Sequence, residues 1–358
     1  MTPGFLLSRV LLKFDREEDD LLEELSAIAH TPDGSLWLGS DEFVTVERLS
    51  PMGDHTYGAH KVFHLNDYIS LAGTDSEIDI EGMDYSDGYL WIVGSHSLKR
   101  NKTEGDDIED DIQRLSEIER DPNRYLLTRI PLINGELAQT AAHPEAGNAL
   151  SAAVLQRTDN HEDQLMEVLA KDEHLGPFLQ MGLPSKDNGF DIEGIAVKGR
   201  RVFLGLRGPV LRGWAIVLEL EPEDSEPGQL ALKELEDGVF YRKHFLNLGG
   251  LGVRELCFDG EDLIILAGPT MDLEGAMQVF RLEDALGHGQ NTLWDSDADE
   301  LSVMFDLPFT IGSDHAEGLA LFPCFQDQVG LMVAYDSPDQ RRIASQKSLF
   351  VDVFHLPD

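Results

Sequence analysis

The chain has 358 residues, of which 67 are Asp or Glu and 28 are Lys or Arg, so its formal net charge at pH 7 is −39. A charge of this sign repels phosphate backbones and anionic membranes, and we therefore exclude nucleic-acid binding and membrane attachment as expected functions. No segment approaches about 18 consecutive apolar residues. We expect a soluble, cytoplasmic protein.

The first predicted element is a strand from Phe5 to Phe14, an apolar run that ends in an acidic turn. Four short strands separated by turn residues follow, from Ser26 to Leu65. Further groups of short strands begin near Gly82, Gly194, Arg254 and Glu317. The last group is one strand short, and the N-terminal strand resembles the outer strands of the other groups.

A short motif opens each group of strands. It is clearest as Asp191-Ile192-Glu193-Gly194, and Asp79-Ile80-Glu81-Gly82 is the nearest copy. More degraded copies begin near Glu24, Gly252 and His315. A repeat of one strand pattern predicts a ring of four-stranded sheets, the β-propeller, in a single domain over residues 1–358. We predict five blades, with the N-terminal strand closing the last one.

Two segments interrupt this pattern. Residues 99–123 are highly charged and predict a loop plus a helix within the second blade. Residues 135–189 lose the strand signal, and Asn148 to Gln156 and Glu162 to Leu179 show apolar spacing closer to that of a helix. We predict a helical insertion between blades two and three, on the face of the channel mouth. Since it has about the length of one blade, six blades are the alternative.

The repeat also predicts where a site would lie. The first strand of a blade lines the central channel and the second returns antiparallel, so the start of one and the end of the other share a face. The first strands bring Asp79, Glu81, Asp191, Glu193, Arg254, His315 and Glu317 to this face, and the ends of second strands bring Glu42, His96, Arg207 and Asp336. Lys186 comes from the insertion that precedes the third blade.

Carboxylates that converge on a narrow axis raise one another's pKa unless cations neutralise them. Calcium takes several oxygen ligands at once and is the expected cofactor. The predicted metal ligands are Asp79, Glu81, Asp191, Glu193 and Glu317. Two alternatives stay open: arginines could supply part of the neutralisation, and each Glu could accept hydrogen bonds from the backbone of the neighbouring blade.

Several stretches resemble a known family. Lys186 to Gly194, followed by Gly205 to Pro209 and by Arg212 to Ala215, resembles a bacterial family catalogued as a domain of unknown function. Ser40-Asp41-Glu42 and His315-Ala316-Glu317-Gly318 are similar to other stretches of that family. The resemblance implies a propeller and brings no activity. More remotely, the repeated Glu-Gly looks like phytase-like and esterase-like propellers, some of which hold calcium in the channel.

Two functions remain open at this point. In the first, a non-catalytic propeller binds a divalent cation together with a small or anionic ligand or a protein segment. Its ligand-binding residues would be Glu42, His96, Lys186, Arg254 and Asp336. In the second, the protein is a metal-dependent hydrolase of phosphate or related esters, with Glu193, Arg207 and His315 as catalytic residues. The sequence leaves the oligomeric state open.

Overall fold

The computed structural model describes residues 4–15, 20–53, 55–73, 77–105, 107–158, 162–271, 273–308, 310–324 and 328–357. Strands dominate these residues, and the prediction of an all-β protein is confirmed. Within the same ranges, no helix is both long and apolar enough to cross a membrane. The first strand, β1, covers Leu6–Lys13.

The first sheet follows the predicted plan. Its strands are β2 (Leu25–His30), β3 (Leu36–Ser40), β4 (Thr45–Gly53) and β5 (Thr56–His64), paired antiparallel in chain order. Gly34 has a φ of +84° in the turn between β2 and β3, a conformation that glycine adopts without steric cost. Every residue of β3 is buried, which explains its continuous apolar sequence.

The second sheet contains the charged insertion. Its elements begin with β6 (Ile80–Ser86) and β7 (Tyr89–Gly94), continue through the insertion with β8 (Lys99–Arg100), α1 (Ile108–Arg114) and β9 (Ile118–Glu119), and return to the sheet with β10 (Leu127–Ile133). The helix predicted in this insertion is confirmed. Asp107 caps α1 by accepting hydrogen bonds from the backbone N–H groups of Glu109 and Asp110.

The segment 135–189 is only partly helical. It contains β11 (Glu136–Leu137), β12 (Thr140–Ala142), β13 (Ala149–Ser151), β14 (Ala153–Leu155), α2 (Gln164–Leu169) and α3 (Gly176–Met181). The helix expected from Asn148 to Gln156 is therefore wrong. β13 pairs with β12, and β14 pairs with β10 as the fourth strand of the second sheet. Pairing with strands distant in sequence decides this structure, and local apolar spacing cannot report it.

The third and fourth sheets share strands with their neighbours. The third unit contributes β15 (Asp191–Lys198), β16 (Arg201–Gly208), β17 (Trp214–Leu220), β18 (Pro222–Asp224), β19 (Gln229–Leu232) and β20 (Tyr241–Asn247); the fourth contributes β21 (Gly252–Asp259), β22 (Asp262–Gly268), β23 (Gln278–Leu282), β24 (Thr292–Trp294) and β25 (Leu301–Asp306). β19 pairs with β14 of the second sheet, and β24 pairs with β20 of the third. These exchanges cover outer edges that would otherwise be unpaired.

The N-terminal strand completes the last sheet, as predicted. That sheet contains β26 (His315–Cys324), β27 (Gln328–Asp336), β28 (Ile343–Ser345) and β29 (Ser348–His355). β1 pairs antiparallel with β29, which gives the order β26-β27-β29-β1. β1 also pairs in parallel with β5, where Leu11 and Leu12 face Thr56 and Tyr57. The first and last sheets thus form one nearly closed sheet.

The first strands of the sheets contact one another in a cycle, in a propeller-like arrangement. β2 contacts β6 and β26, β15 contacts β6 and β21, and β21 contacts β26. The glycine of the Glu-Gly motif is required by this close approach. A Cβ on Gly194 would lie 2.9 Å from Cα of Glu255, and a Cβ on Gly82 would lie 3.0 Å from the backbone nitrogen of Ile195.

Candidate functional site

Each first strand has an irregularity at the same place in its pairing with the second strand. The register shifts around Ser26, Glu81, Glu193, Arg254 and Glu317. A β-bulge leaves a residue out of the ladder and redirects its side chain. We call these five residues the bulge ring. The bulge is the local device that brings acids remote in sequence to one channel.

Arg254 joins its two neighbours in the bulge ring. Its Nε lies 2.8 Å from Oε2 of Glu193, and its Nη2 contacts Oε1 of Glu317. Burial alone would lower the pKa of the Arg254 guanidinium, but the two carboxylates outweigh burial and raise it. The buried arginine therefore stays charged between two acids of adjacent sheets.

A second arginine forms ion pairs within the third sheet. Arg207 lies at the end of β16, with Nη2 2.5 Å from Oδ2 of Asp191 and Nη1 2.7 Å from Oε1 of Glu193. Burial raises the pKa of Asp191 to about 7 because Arg207 offsets only part of the cost of removing the carboxylate from water, while Glu193 adds repulsion. The pair holds the start of β15 against the end of β16.

Arg124 is the third arginine that pairs with an acid at the start of a first strand. Its Nη1 lies 2.7 Å from Oδ2 of Asp79, and the same atom donates to Oγ of Ser97 at 3.1 Å. Sequence reasoning did not identify Arg124, because it lies after a charged insertion with no motif around it.

Of the predicted metal ligands, Asp79, Asp191, Glu193 and Glu317 all pair with arginines. In the described ranges, no group of three or more His, Cys, Asp and Glu side chains is arranged to hold a metal ion.

Glu81 differs from these acids. Among the residues that the structure describes, no cation forms an ion pair with it. Burial raises the pKa of Glu81 well above its usual value, and the charges of Asp79, Glu193 and other channel acids raise it further. The residue is half-buried. Its environment therefore favours the protonated form.

A cavity of about 380 Å³ opens where the sequence predicts the mouth. Its lining includes eight carboxylates, Glu23, Glu24, Asp41, Glu42, Glu274, Asp314, Glu317 and Asp336, and four bases, Lys102, Lys186, Arg207 and Arg254. The structure thus brings together seven residues that the sequence predicts at the mouth, Glu42, Lys186, Arg207, Arg254, His315, Glu317 and Asp336. We call the eight carboxylates the acidic mouth.

Asp41 is the notable acid of this mouth, and the predicted site residues did not include it. No ion pair or hydrogen bond to its carboxylate is present within the described part of the chain. Burial raises its pKa to about 7, and Asp79, Asp336, Glu42 and Glu24 contribute further through charge repulsion. The signal that could have found it is its position directly after β3, in the stretch Ser40-Asp41-Glu42.

Two other predicted residues stand at the wall of the mouth. His315 has Nε2 3.4 Å from Oε1 of Glu274 and Nδ1 3.5 Å from Oδ2 of Asp336. Its hydrogen bond with Asp336 raises the pKa of the imidazole. The second residue is Glu42, and a hydrogen bond with Glu77 raises the pKa of its carboxyl.

His96 does not reach the mouth. It is fully buried, with Nδ1 2.8 Å from the carbonyl oxygen of Gly94 and Nε2 2.8 Å from Oδ2 of Asp163. Both ring nitrogens face acceptors, and this arrangement favours the doubly protonated, cationic imidazole. Asp163 overcomes the effect of burial and raises the His96 pKa. Asp163 also caps α2 by accepting from the Met166 N–H, so His96 anchors the insertion to β7.

Glu255 shows the alternative role that the sequence left open. It occupies the place next to the bulge where Gly82, Gly194 and Gly318 stand in other sheets. Its Oε1 accepts hydrogen bonds from the backbone N–H groups of Ile195 at 2.9 Å and Leu256 at 2.8 Å. This carboxyl joins two blades.

Comparison with known proteins gives a family. No curated protein matches the chain. Similar solved structures include an aldose sugar dehydrogenase from Streptomyces coelicolor in its PQQ-bound form (10% identity, TM-score 0.37, covering 99% of this chain and 100% of that one). Another is virginiamycin B lyase from Staphylococcus aureus, with 9% identity and a TM-score of 0.37, covering 98% of this chain and 99% of that one. A third is a candidate gluconolactonase, with 12% identity and a TM-score of 0.40, covering 92% of this chain and 75% of that one. These scores are too low to bear on what this chain does. The model of a family described as protein of unknown function (DUF3616) matches residues 24–352, and the chain belongs to that family.

Proposed function

We propose that this protein is a binding protein whose acidic mouth takes up a positively charged ligand, with a divalent cation such as calcium as the first candidate. The observation that carries the proposal is Asp41. Its carboxylate has no partner among the described residues, and burial, together with repulsion from the surrounding acids, raises its pKa to about 7. A cation entering this place would relieve that repulsion.

The balance of charge in the mouth supports the same function. Two of the four bases that line the cavity, Arg207 and Arg254, are already paired with inner acids. The other two, Lys102 and Lys186, are exposed. Asp41, Glu42 and Asp336 would have to move together to supply oxygen ligands to calcium, since no metal group is already arranged in the described ranges. A small organic cation or a cationic segment of a partner would use the same charge.

The hydrolase hypothesis receives less support. Glu193 pairs with both Arg207 and Arg254, so neither the carboxylate nor Arg207 is free to act on a substrate. Of the three proposed catalytic residues, His315 has a partly exposed side chain, and Glu193 and Arg207 are buried. The geometry therefore favours binding over catalysis.

We also propose that the scaffold is a five-bladed propeller. Support comes from the cycle of contacts among β2, β6, β15, β21 and β26 and from the matching bulge in each. The segment 135–189, which allowed a sixth blade, supplies β14 to the second sheet and two helices.

The test is a calorimetric titration of chelator-treated protein with calcium chloride, and separately with spermidine. Asp41→Asn should weaken binding of either cation at least about fivefold, because a charged ligand loses its central partner. Asp297→Asn is the matched control: it removes one charge from an exposed acidic turn outside the cavity. The proposal would be overturned if the protein bound neither calcium nor spermidine. It would also be overturned if Asp41→Asn and Asp297→Asn weakened cation binding equally.

A further inference from the structure

A second pocket lies beneath the helices of the segment 135–189, and it shares no lining residue with the acidic mouth. Its volume is about 160 Å³. Most of its wall is apolar and comes from Leu98, Met166, Phe178, Leu179, Leu183 and Phe190. The pocket is therefore built to hold an uncharged group.

One buried polar side chain in this wall lacks a partner. Tyr125 is only 2% exposed, and its ring meets the ring of His96 edge to face, with centroids 6.0 Å apart. No hydrogen bond to the Tyr125 hydroxyl exists within the described part of the chain. Burial raises the pKa of this phenol to about 12, so the hydroxyl keeps its proton and can donate it. Because the Tyr125 hydroxyl lines the pocket and has no hydrogen-bond partner among the described residues, it is available to donate to a molecule bound there.

The other polar groups around the pocket are already engaged. Both ring nitrogens of His96 are occupied by Gly94 and Asp163. At the rim, the Arg120 guanidinium pairs with the Glu162 carboxylate. Since these two rim charges cancel, the pocket offers neither a net charge nor a second buried donor. Its chemistry is one hydroxyl in an apolar cavity.

The volume limits the size of the ligand. An apolar cavity of roughly 150 Å³ holds one benzene molecule. The pocket here is of the same size and is open to the surface on one side. A single six-membered ring fits, and a fused ring system does not.

We propose that this pocket binds a neutral, apolar molecule of the size of one ring, with a single oxygen acceptor that receives a hydrogen bond from the Tyr125 hydroxyl. The proposal does not depend on the function of the acidic mouth, because the two sites use different residues.

The probes are cyclohexanone, which carries the acceptor, and benzene, which does not. Binding to the full chain is measured by ligand-observed NMR titration. Cyclohexanone should bind more tightly than benzene to the unmodified protein. Tyr125→Phe should weaken cyclohexanone binding roughly fivefold, the value of one neutral hydrogen bond, and leave benzene binding unchanged. Equal affinities of the two proteins for cyclohexanone would overturn the role of the hydroxyl.

A pair of tryptophan variants tests the location. Leu179→Trp fills the pocket and should abolish binding of both probes. Met181→Trp lies on the same helix, is 58% exposed and is outside the lining, so it should bind both probes normally. If Leu179→Trp does not fold, Ala170→Met fills the cavity with a smaller change. Binding that survives the filling variant, or no binding by the unmodified protein, contradicts the proposal.

Discussion

The bulge ring and the acidic mouth share Glu317, but most of their acids have different surroundings. In the ring, Glu193 and Glu317 face Arg254 between them, and the ion pairs join neighbouring sheets. In the mouth, Asp41 has acids around it and no cation paired with it among the described residues. The difference teaches that burial of an acid on a propeller axis is not by itself a sign of a metal site. An acid that pairs with an arginine of a neighbouring strand is structural, and an acid without such a partner is available to a ligand.

The largest effect should come from removing the central cation of the bulge ring. Arg254→Ala leaves Glu193 and Glu317 buried without their shared partner, and we expect a loss of about 3–5 kcal/mol in the free energy of unfolding. Urea denaturation at pH 8 measures it. The control is Arg341→Ala, which breaks an exposed pair with Asp339 and should leave stability nearly unchanged. Similar losses in the two variants would mean that the ring pairs are not structural.

The next effect compares two glutamates of the same ring. Glu193→Gln deprives two arginines of a carboxylate and should cost about 2–3 kcal/mol. Glu81→Gln replaces a side chain whose environment already favours the neutral form, and its cost should stay within about 0.5 kcal/mol. Denaturation of both variants at pH 7 checks this. A larger loss for Glu81→Gln than for Glu193→Gln would reverse the assignment of roles.

At the mouth, calcium affinity should depend on pH. Burial and repulsion from neighbouring acids raise the pKa of Asp41 to about 7, so much of its ionisation takes place between pH 6 and pH 8. Calcium affinity should therefore rise severalfold over this interval. Calorimetric titrations at the two pH values measure it, and Asp41→Asn should flatten the dependence. A steep dependence that persists in the variant would assign the titration to another group.

The last effect concerns the stability of the free protein. Because the folded-state pKa of Asp41 lies above its ordinary value of 3.8, the folded protein holds this proton more tightly than the unfolded chain. The resulting stabilisation is full below the ordinary value and is lost as the pH rises through about 7. Asp41→Asn should thus be more stable than the unmodified protein at pH 8, with a smaller difference at pH 5.5.

Thermal or urea unfolding at both pH values checks this last prediction. Asp297→Asn, in an exposed turn, supplies the control and should show the same difference at both. If the stability gap for Asp41→Asn narrows as the pH rises, the sign of the pKa shift is wrong.

The strand pattern of this fold could be predicted from sequence because turn residues and apolar alternation are local. The β1–β29 pairing was also predictable, since the last group lacked a strand and Phe5 to Phe14 could supply it. β14 was missed because its place in the sheet depends on contacts with β10 and β19. A short strand of three residues leaves no periodicity to detect.

For the site, the sequence predicted which positions converge and could not predict how their charges are satisfied. Glu193 and Arg254 lie in different repeats, and their ion pair depends on a bulge that shifts each side chain by one place in the ladder. His96 was expected at the mouth on topology alone, but Asp163 pairs with it beneath the insertion. The direction of a side chain at the end of a strand is not encoded in local spacing.

The position of β1 between β29 and β5 has a consequence for how the chain folds. A sheet made from residues near both ends of the described chain cannot be completed until the last unit has been synthesised, so ring closure is a late step with a high loop-closure entropy. Until then, the outer edges of the first and last sheets are open to pairing with other chains. Nascent or N-terminally trimmed molecules would therefore be the aggregation-prone forms of this protein, while the closed ring is protected.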